Sequence, residues 1–127
     1  MKVFKYLAIA IVTLVSLGAI SGCKGADYPY DHPEKLEANT TAVTISAYGG
    51  VANVILDVNR DWASKIKYKE GAKGWLTITP NMGPATLETT PIQLIAEGNE
   101  GSSRIAEVVI STGNKVITIV VTQEGEE

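Results

Sequence analysis

Flat apolar rings stack on the C–H faces of sugars, with a few polar groups to fix orientation, and Trp62, Trp75 and Tyr68 are the rings this sequence offers for that chemistry. Beside them Lys65, Lys67, Lys69 and Lys73 fall within nine residues, in a chain whose 11 Lys and Arg are outnumbered by 14 Asp and Glu. Such a stripe of ammonium groups suits sulfated or sialylated glycans or anionic headgroups. Equally, lysines on an edge strand bar edge-to-edge pairing with another sheet. Asp57, Asn59 and Asp61 spell D-x-N-x-D, the opening of an EF-hand calcium loop. The sixth position of that loop should be Gly and is Trp62, and the twelfth should be a bidentate Glu and is Tyr68. The triplet therefore reads as Asx side chains bonding a turn at a strand end.

Catalysis is short of parts. The sole His32 lies in a polar stretch between Pro29 and Pro33, so a Ser-His-Asp arrangement would rest on the least ordered segment. Paired carboxylates for glycoside hydrolysis need a cleft that a small sandwich rarely has. One Cys and one His exclude a structural zinc site and a Cys/His nucleophilic pair. A formal charge of -3 leaves no basic field for a phosphate backbone, which argues against nucleic acid as a partner. The expectation is a protein that is not an enzyme and carries neither metal nor cofactor.

The elements that must position these residues read as short strands. From Leu36 onward β-branched residues alternate with polar ones between Gly-, Pro- and Asn-rich breaks, the spacing of a sandwich or barrel. Val43, Ile45 and Ala47 alternate with Thr44 and Ser46, and Gly49-Gly50 separates them from residues 51–58, the signal of a tight hairpin with Val54, Leu56 and Val58 buried. A second hairpin joins residues 105–112 to 115–122 through Gly113-Asn114, with Gly first as a type II′ turn demands. Its second strand turns Ile117, Ile119 and Val121 one way. Ile66 with Tyr68, Leu76 with Ile78, and Ile92 with Leu94 mark the runs between, for seven or eight strands in one domain. Alternation after Gly74 puts Leu76 and Ile78 inside and Trp75 outside with Thr77 and Thr79. The alternative is that Trp62 and Trp75 plug the ends of the sandwich. The lysines take the face opposite Ile66 and Tyr68.

The first 35 residues follow another logic. Lys2 and Lys5 precede an uncharged run over residues 7–20, too short for a hydrocarbon core that takes about 20 apolar residues. The run ends in Ile20-Ser21-Gly22-Cys23, which resembles the lipobox of bacterial lipoproteins: an aliphatic residue, two small ones and the Cys that takes the lipid. That resemblance implies a lipoprotein signal peptide over residues 1–22, lipid on Cys23 and a membrane reached through it. The alternative, a plain signal peptide or an uncleaved anchor, leaves Cys23 an unpaired thiol outside the cytoplasm. Lys24, where the lipoprotein pattern has Asp for inner-membrane retention, implies an outer-membrane address facing the periplasm or the cell surface. Residues 23–35 read as a lipidated tether whose last twelve residues, 24–35, reach at most about 40 Å. Glu124, Glu126 and Glu127 read as a frayed, solvated end.

Read in order, the body gives Gly49-Gly50, Trp62, then Trp75-Leu76-Thr77-Ile78-Thr79-Pro80 with Gly83, then Asn99, Gly101 and Ser103-Arg104-Ile105-Ala106, and last Val121-Thr122-Gln123-Glu124-Gly125. Over residues 36–125 this ordered set resembles the BACON domain, the Bacteroidetes-associated carbohydrate-binding often N-terminal module. The resemblance implies an all-β, immunoglobulin-like β-sandwich on a secreted or surface lipoprotein that binds complex glycans or mucin-type glycoproteins. Trp75, Tyr68, Lys65, Lys67 and Lys69 are the candidate sugar contacts. The alternative is a structural, spacer or protein-interaction module without sugar binding, although a spacer followed by no further domain has nothing to hold apart. Exposure separates the two. Trp75 and Tyr68 lining a groove beside the lysines favours sugar, and buried aromatics favour a protein partner.

Overall fold

A pleated strand sends successive side chains to opposite faces, so an alternating sequence buries one set and wets the other. The computed structural model describes residues 27–126, and the signal peptide, Cys23 and Lys24 lie outside the described residues. After a 3₁₀ turn at Pro29–Asp31 come β1 (Leu36–Ala38), β2 (Ala42–Ile45), β3 (Gly50–Val58), β4 (Trp62–Tyr68), β5 (Leu76–Thr79), β6 (Met82–Gly83), β7 (Thr90–Ala96), β8 (Arg104–Ser111) and β9 (Val116–Gln123). They form a five-stranded sheet, β2-β9-β8-β4-β6, packed on a four-stranded one, β1-β3-β7-β5. The structure has nine strands against the expected seven or eight; those without an alternating run in the sequence are the three-residue β1 and the two-residue β6, too short for alternation to register.

The inner faces follow the period of two. Val54, Leu56 and Val58 of β3, Ile92 and Leu94 of β7, Val108 and Ile110 of β8, and Ile119 and Val121 of β9 are fully buried. Leu76 and Ile78 of β5 close the same core.

The hairpin expected at Gly49-Gly50 does not form. β2 pairs with β9 in parallel, from Ala42 opposite Val120 to Ile45 opposite Gln123, while β3 pairs with β1 and β7 in the other sheet. Residues 46–49 therefore carry the chain across the sandwich. Gly49 is required for this passage: it takes φ +94, and a Cβ on it would stand 2.8 Å from the Ala96 carbonyl oxygen. The other expected hairpin is present, with Ser111 opposite Val116. Its turn is not type II′, since Gly113 stays out of the positive-φ region. The Thr112 hydroxyl holds the turn instead, accepting from the N–H groups of Asn114 and Lys115 at 3.3 and 3.0 Å.

Residues 29–35, in the stretch read as a tether, lie against the hairpin end of the sandwich. Asn59 is buried, accepts the Lys35 N–H at Oδ1 and donates from Nδ2 to the Pro33 carbonyl, both at 2.8 Å. Arg60 donates to the carbonyls of Pro29 and His32 and covers the Tyr30 ring at 4.8 Å. The Glu34 carboxylate accepts from the Thr112 hydroxyl and the Asn114 amide. These are contacts of single polar side chains with backbone and with one another, which leave no period in the sequence.

Candidate functional site

Gly74 takes φ +79 directly before Trp75, and the strand begins at Leu76 without extending back to Trp75. Trp75 is accordingly 3% exposed rather than turned outward with Thr77 and Thr79. Its ring meets Tyr68 edge to face at 5.7 Å, and the Arg104 guanidinium lies 4.6 Å from its centroid. Arg104 is fixed in turn, donating from Nε to Gln123 Oε1 at 2.8 Å and from Nη2 to the Gly98 carbonyl at 3.2 Å. Gln123 is fully buried and donates onward to the Ser46 and Glu97 carbonyls. Asn99, also buried, donates to the Ser102 and Glu124 carbonyls and accepts the Gly101 N–H. A Cβ on Gly125 would overlap the Gly101 carbonyl oxygen. Three sequence segments quoted above for their resemblance, around Trp75, Asn99–Arg104 and Gln123–Gly125, thus meet at one end of the sandwich. There Arg104, Gln123 and Asn99 bond one another or nearby backbone, while the buried Trp75 Nε1 has no hydrogen-bond partner among the described residues.

The remaining candidates gather along the side where β5, and β4 beyond the two residues that pair with β6, form sheet edges. Tyr68 is half-buried, and its hydroxyl donates to the Leu76 carbonyl at 3.2 Å and accepts the Leu76 N–H at 3.4 Å. Lys65, Lys67 and Lys69 are exposed, and Lys69 Nζ lies 3.5 Å from Glu107 Oε2. A groove of about 350 Å³ runs between the two edges, lined by Ser64, Ile66, Tyr68, Ile78 and Asn81 among others. The structure therefore brings Tyr68 and the lysines to one side, while Trp75 is sealed from it. Trp62 is buried as well, against Gly83, where a Cβ would come within 2.7 Å of the indole nitrogen. The placement of both tryptophans agrees with the end-plug alternative.

The D-x-N-x-D residues part company. Asp57 pairs with Lys35 at 2.7 Å, Asn59 holds residues 33–35, and Asp61 Oδ1 accepts the Ala85 N–H at 2.9 Å. Among the described residues no group of His, Cys, Asp or Glu is placed to hold a metal ion. The exposed rings are ones that strand reasoning passed over: Tyr28 and Tyr30, at 60% and 59%, and Tyr48. Their signal was the Tyr28-Pro29-Tyr30 spacing, in which the proline fixes the backbone between two rings.

The family model named BACON, described as "Putative binding domain, N-terminal", matches residues 62–124. Residues 62–124 are a BACON domain. The match runs from β4 through the residue after β9, and so includes Trp75, Asn99, Arg104 and Gln123 of the BACON end cluster. Among solved structures the chain is similar to a Bacteroides ovatus xyloglucanase in complex with a heptasaccharide, with TM-score 0.61, 20% identity, and coverage of 73% of this chain and 19% of that one. It is similar also to the periplasmic chaperone SfaE, with TM-score 0.58, 14% identity, and coverage of 73% and 59%. A chaperone–tip adhesion subunit pre-assembly complex of Acinetobacter baumannii matches with TM-score 0.56, 12% identity, and coverage of 72% and 57%. The chain thus spans about a fifth of the xyloglucanase and less than two thirds of the chaperone chains. At these identities the likeness is one of fold, an immunoglobulin-like β-sandwich. No curated protein matches the chain.

Proposed function

We propose that this protein is a non-catalytic, lipid-anchored module of the outer membrane whose BACON domain engages another envelope protein. The lipobox-like Ile20-Ser21-Gly22-Cys23 supports the address, and the family's description as a binding domain supports the role. The observation that carries the choice of partner is the fate of the rings. Trp62 and Trp75 are internal and the Tyr68 hydroxyl is taken by Leu76, while the β4 side presents a strand edge and a row of lysines. Stacking on sugar needs an open ring face.

A second reading keeps the carbohydrate-binding type of module and has its own observation. Tyr28, Tyr30 and Tyr48 are rings open to a complex glycan or mucin-type glycoprotein; Tyr28 and Tyr30 flank a single proline, with Arg60 covering one face of Tyr30. The purified full chain, screened at physiological salt against mucin glycans, plant polysaccharides and cross-linked envelope proteins, separates the two. The expected result is silence on the glycans and a saturable protein partner lost in a Lys65/Lys67/Lys69→Ala variant. Saturable sugar binding lost in Tyr28→Ala/Tyr30→Ala would replace the first reading with the second.

A further inference from the structure

The backbone of β4 says what kind of partner fits, given the interaction reading above, on which this step rests. The Lys69 N–H donates to the Ile105 carbonyl at 3.0 Å. In an antiparallel ladder such bonded pairs recur at every second residue, so Lys65 and Lys67 also turn their polar backbone groups toward β8, and Ile66 and Tyr68 turn theirs the other way. On that side β6 reaches only Trp62 and Ala63, and the Asn81 carbonyl takes the Ser64 N–H. Among the described residues no strand pairs with Ile66 or Tyr68 there. β5 obeys the same parity. The Glu97 N–H donates to the Trp75 carbonyl, so Leu76 and Ile78 face the open side, where the Tyr68 hydroxyl satisfies Leu76. What remains is a row of unpaired N–H and C=O groups above a groove walled by Ile66 and Ile78.

The lysines decide the occupant. Lys65 and Lys67 stand two apart on the outer face, exposed, and among the described residues they join no ion pair. A strand added at this edge would set its outward side chains about 5 Å from theirs. A second copy of β4 would oppose lysine to lysine, which repels. We infer that β4 is the docking strand for an extended segment of a partner protein that alternates acidic with apolar residues. The acidic set meets Lys65 and Lys67, the apolar set enters the groove over Ile66 and Ile78, and the partner's backbone completes the row at Ile66 and Tyr68. A sulfated glycan would use the lysines alone and leave the backbone row and the groove unfilled.

The test uses the full chain in detergent micelles with a synthetic peptide alternating glutamate and valine. Controls are an isomer with contiguous glutamates and a counterpart with lysine for glutamate. The alternating peptide is expected to slow amide exchange at Ile66 and Tyr68. Lys65→Glu/Lys67→Glu is expected to weaken it by about tenfold or more and to accept the lysine peptide instead. Ile66→Pro, which removes an N–H that the sandwich itself does not use, should abolish binding; if that variant unfolds, the charge swap decides. Equal binding of the two isomers, or binding that leaves both amides unprotected, overturns the proposal. So does a sulfated polysaccharide that binds the lysines while the peptide does not. An envelope partner that persists in both variants overturns the docking strand and keeps the interaction reading, whereas sugar binding through Tyr28 and Tyr30 with no protein partner overturns both.

Discussion

Arg104 joins both sheets through one planar group, stacking on Trp75 before β5 and bonding Gln123 on β9. Removing it strands the buried Gln123 Oε1, and an unsatisfied buried acceptor costs about 1–3 kcal/mol, so Arg104→Ala should lower the urea stability by that much. Trp75→Ala should cost about 3–5 kcal/mol. The double variant should cost less than the sum, because each change removes the same contact. Arg104→Lys keeps the charge and loses the fork, and should behave more like the alanine than the wild type. Glu34 offers a pH test. Hydrogen bonds from Thr112, then Asn114, hold its carboxyl below the ordinary 4.5. A depressed folded value means that its contribution is present above 4.5 and is lost as pH falls through the lowered value. Acidification should therefore free residues 29–35 first, read as lower protection of the Lys35 amide relative to an unprotected amide at the same pH, and Thr112→Val should shift that release to higher pH.

At the scale of elements, alternation named the inner faces of β3, β7 and β9, and single deletions check them. Leu56→Ala or Ile119→Ala should cost about 2–5 kcal/mol by denaturant titration, and Lys67→Ala less than about 0.5. Gly49→Ala should cost more than about 1 kcal/mol, through positive φ and the Ala96 carbonyl together. The sequence was legible where the signal is local. The β8–β9 hairpin could be placed from its flanking strands, but the Thr112 hydroxyl, not Gly113, makes its turn. Gly49-Gly50 misled because a glycine pair between two strands marks a hairpin and a crossing between sheets alike, and sheet membership is set by partners far along the chain. Trp75 misled because, after left-handed backbone at Gly74, the strand begins only at Leu76. The resemblance assembled Trp75, Asn99, Arg104 and Gln123 in order. That they touch is tertiary, and so is the clasp of Asn59, Arg60 and Glu34 on residues 29–35.

For the whole molecule, the acidic chain keeps a basic stripe along one open side, so partner binding should weaken as salt rises from about 0.05 to 0.5 M, when the screening length drops below about 5 Å. A salt-independent affinity, by titration calorimetry at three ionic strengths, would remove the lysines from the interface. The parallel pairing of β2 with β9 has a different consequence, one of timing. β9 is the last described strand in the chain yet sits inside its sheet, between β2 and β8. Until it is made, β8 lacks one neighbour, β2 has none in its sheet, and Ile119, Val121 and Gln123 are missing from the interior. Contacts this distant in sequence are slow to form. A growing chain can therefore lay down eight of these strands and still have no five-stranded sheet, so closure of the core waits until residues 116–123 have been made.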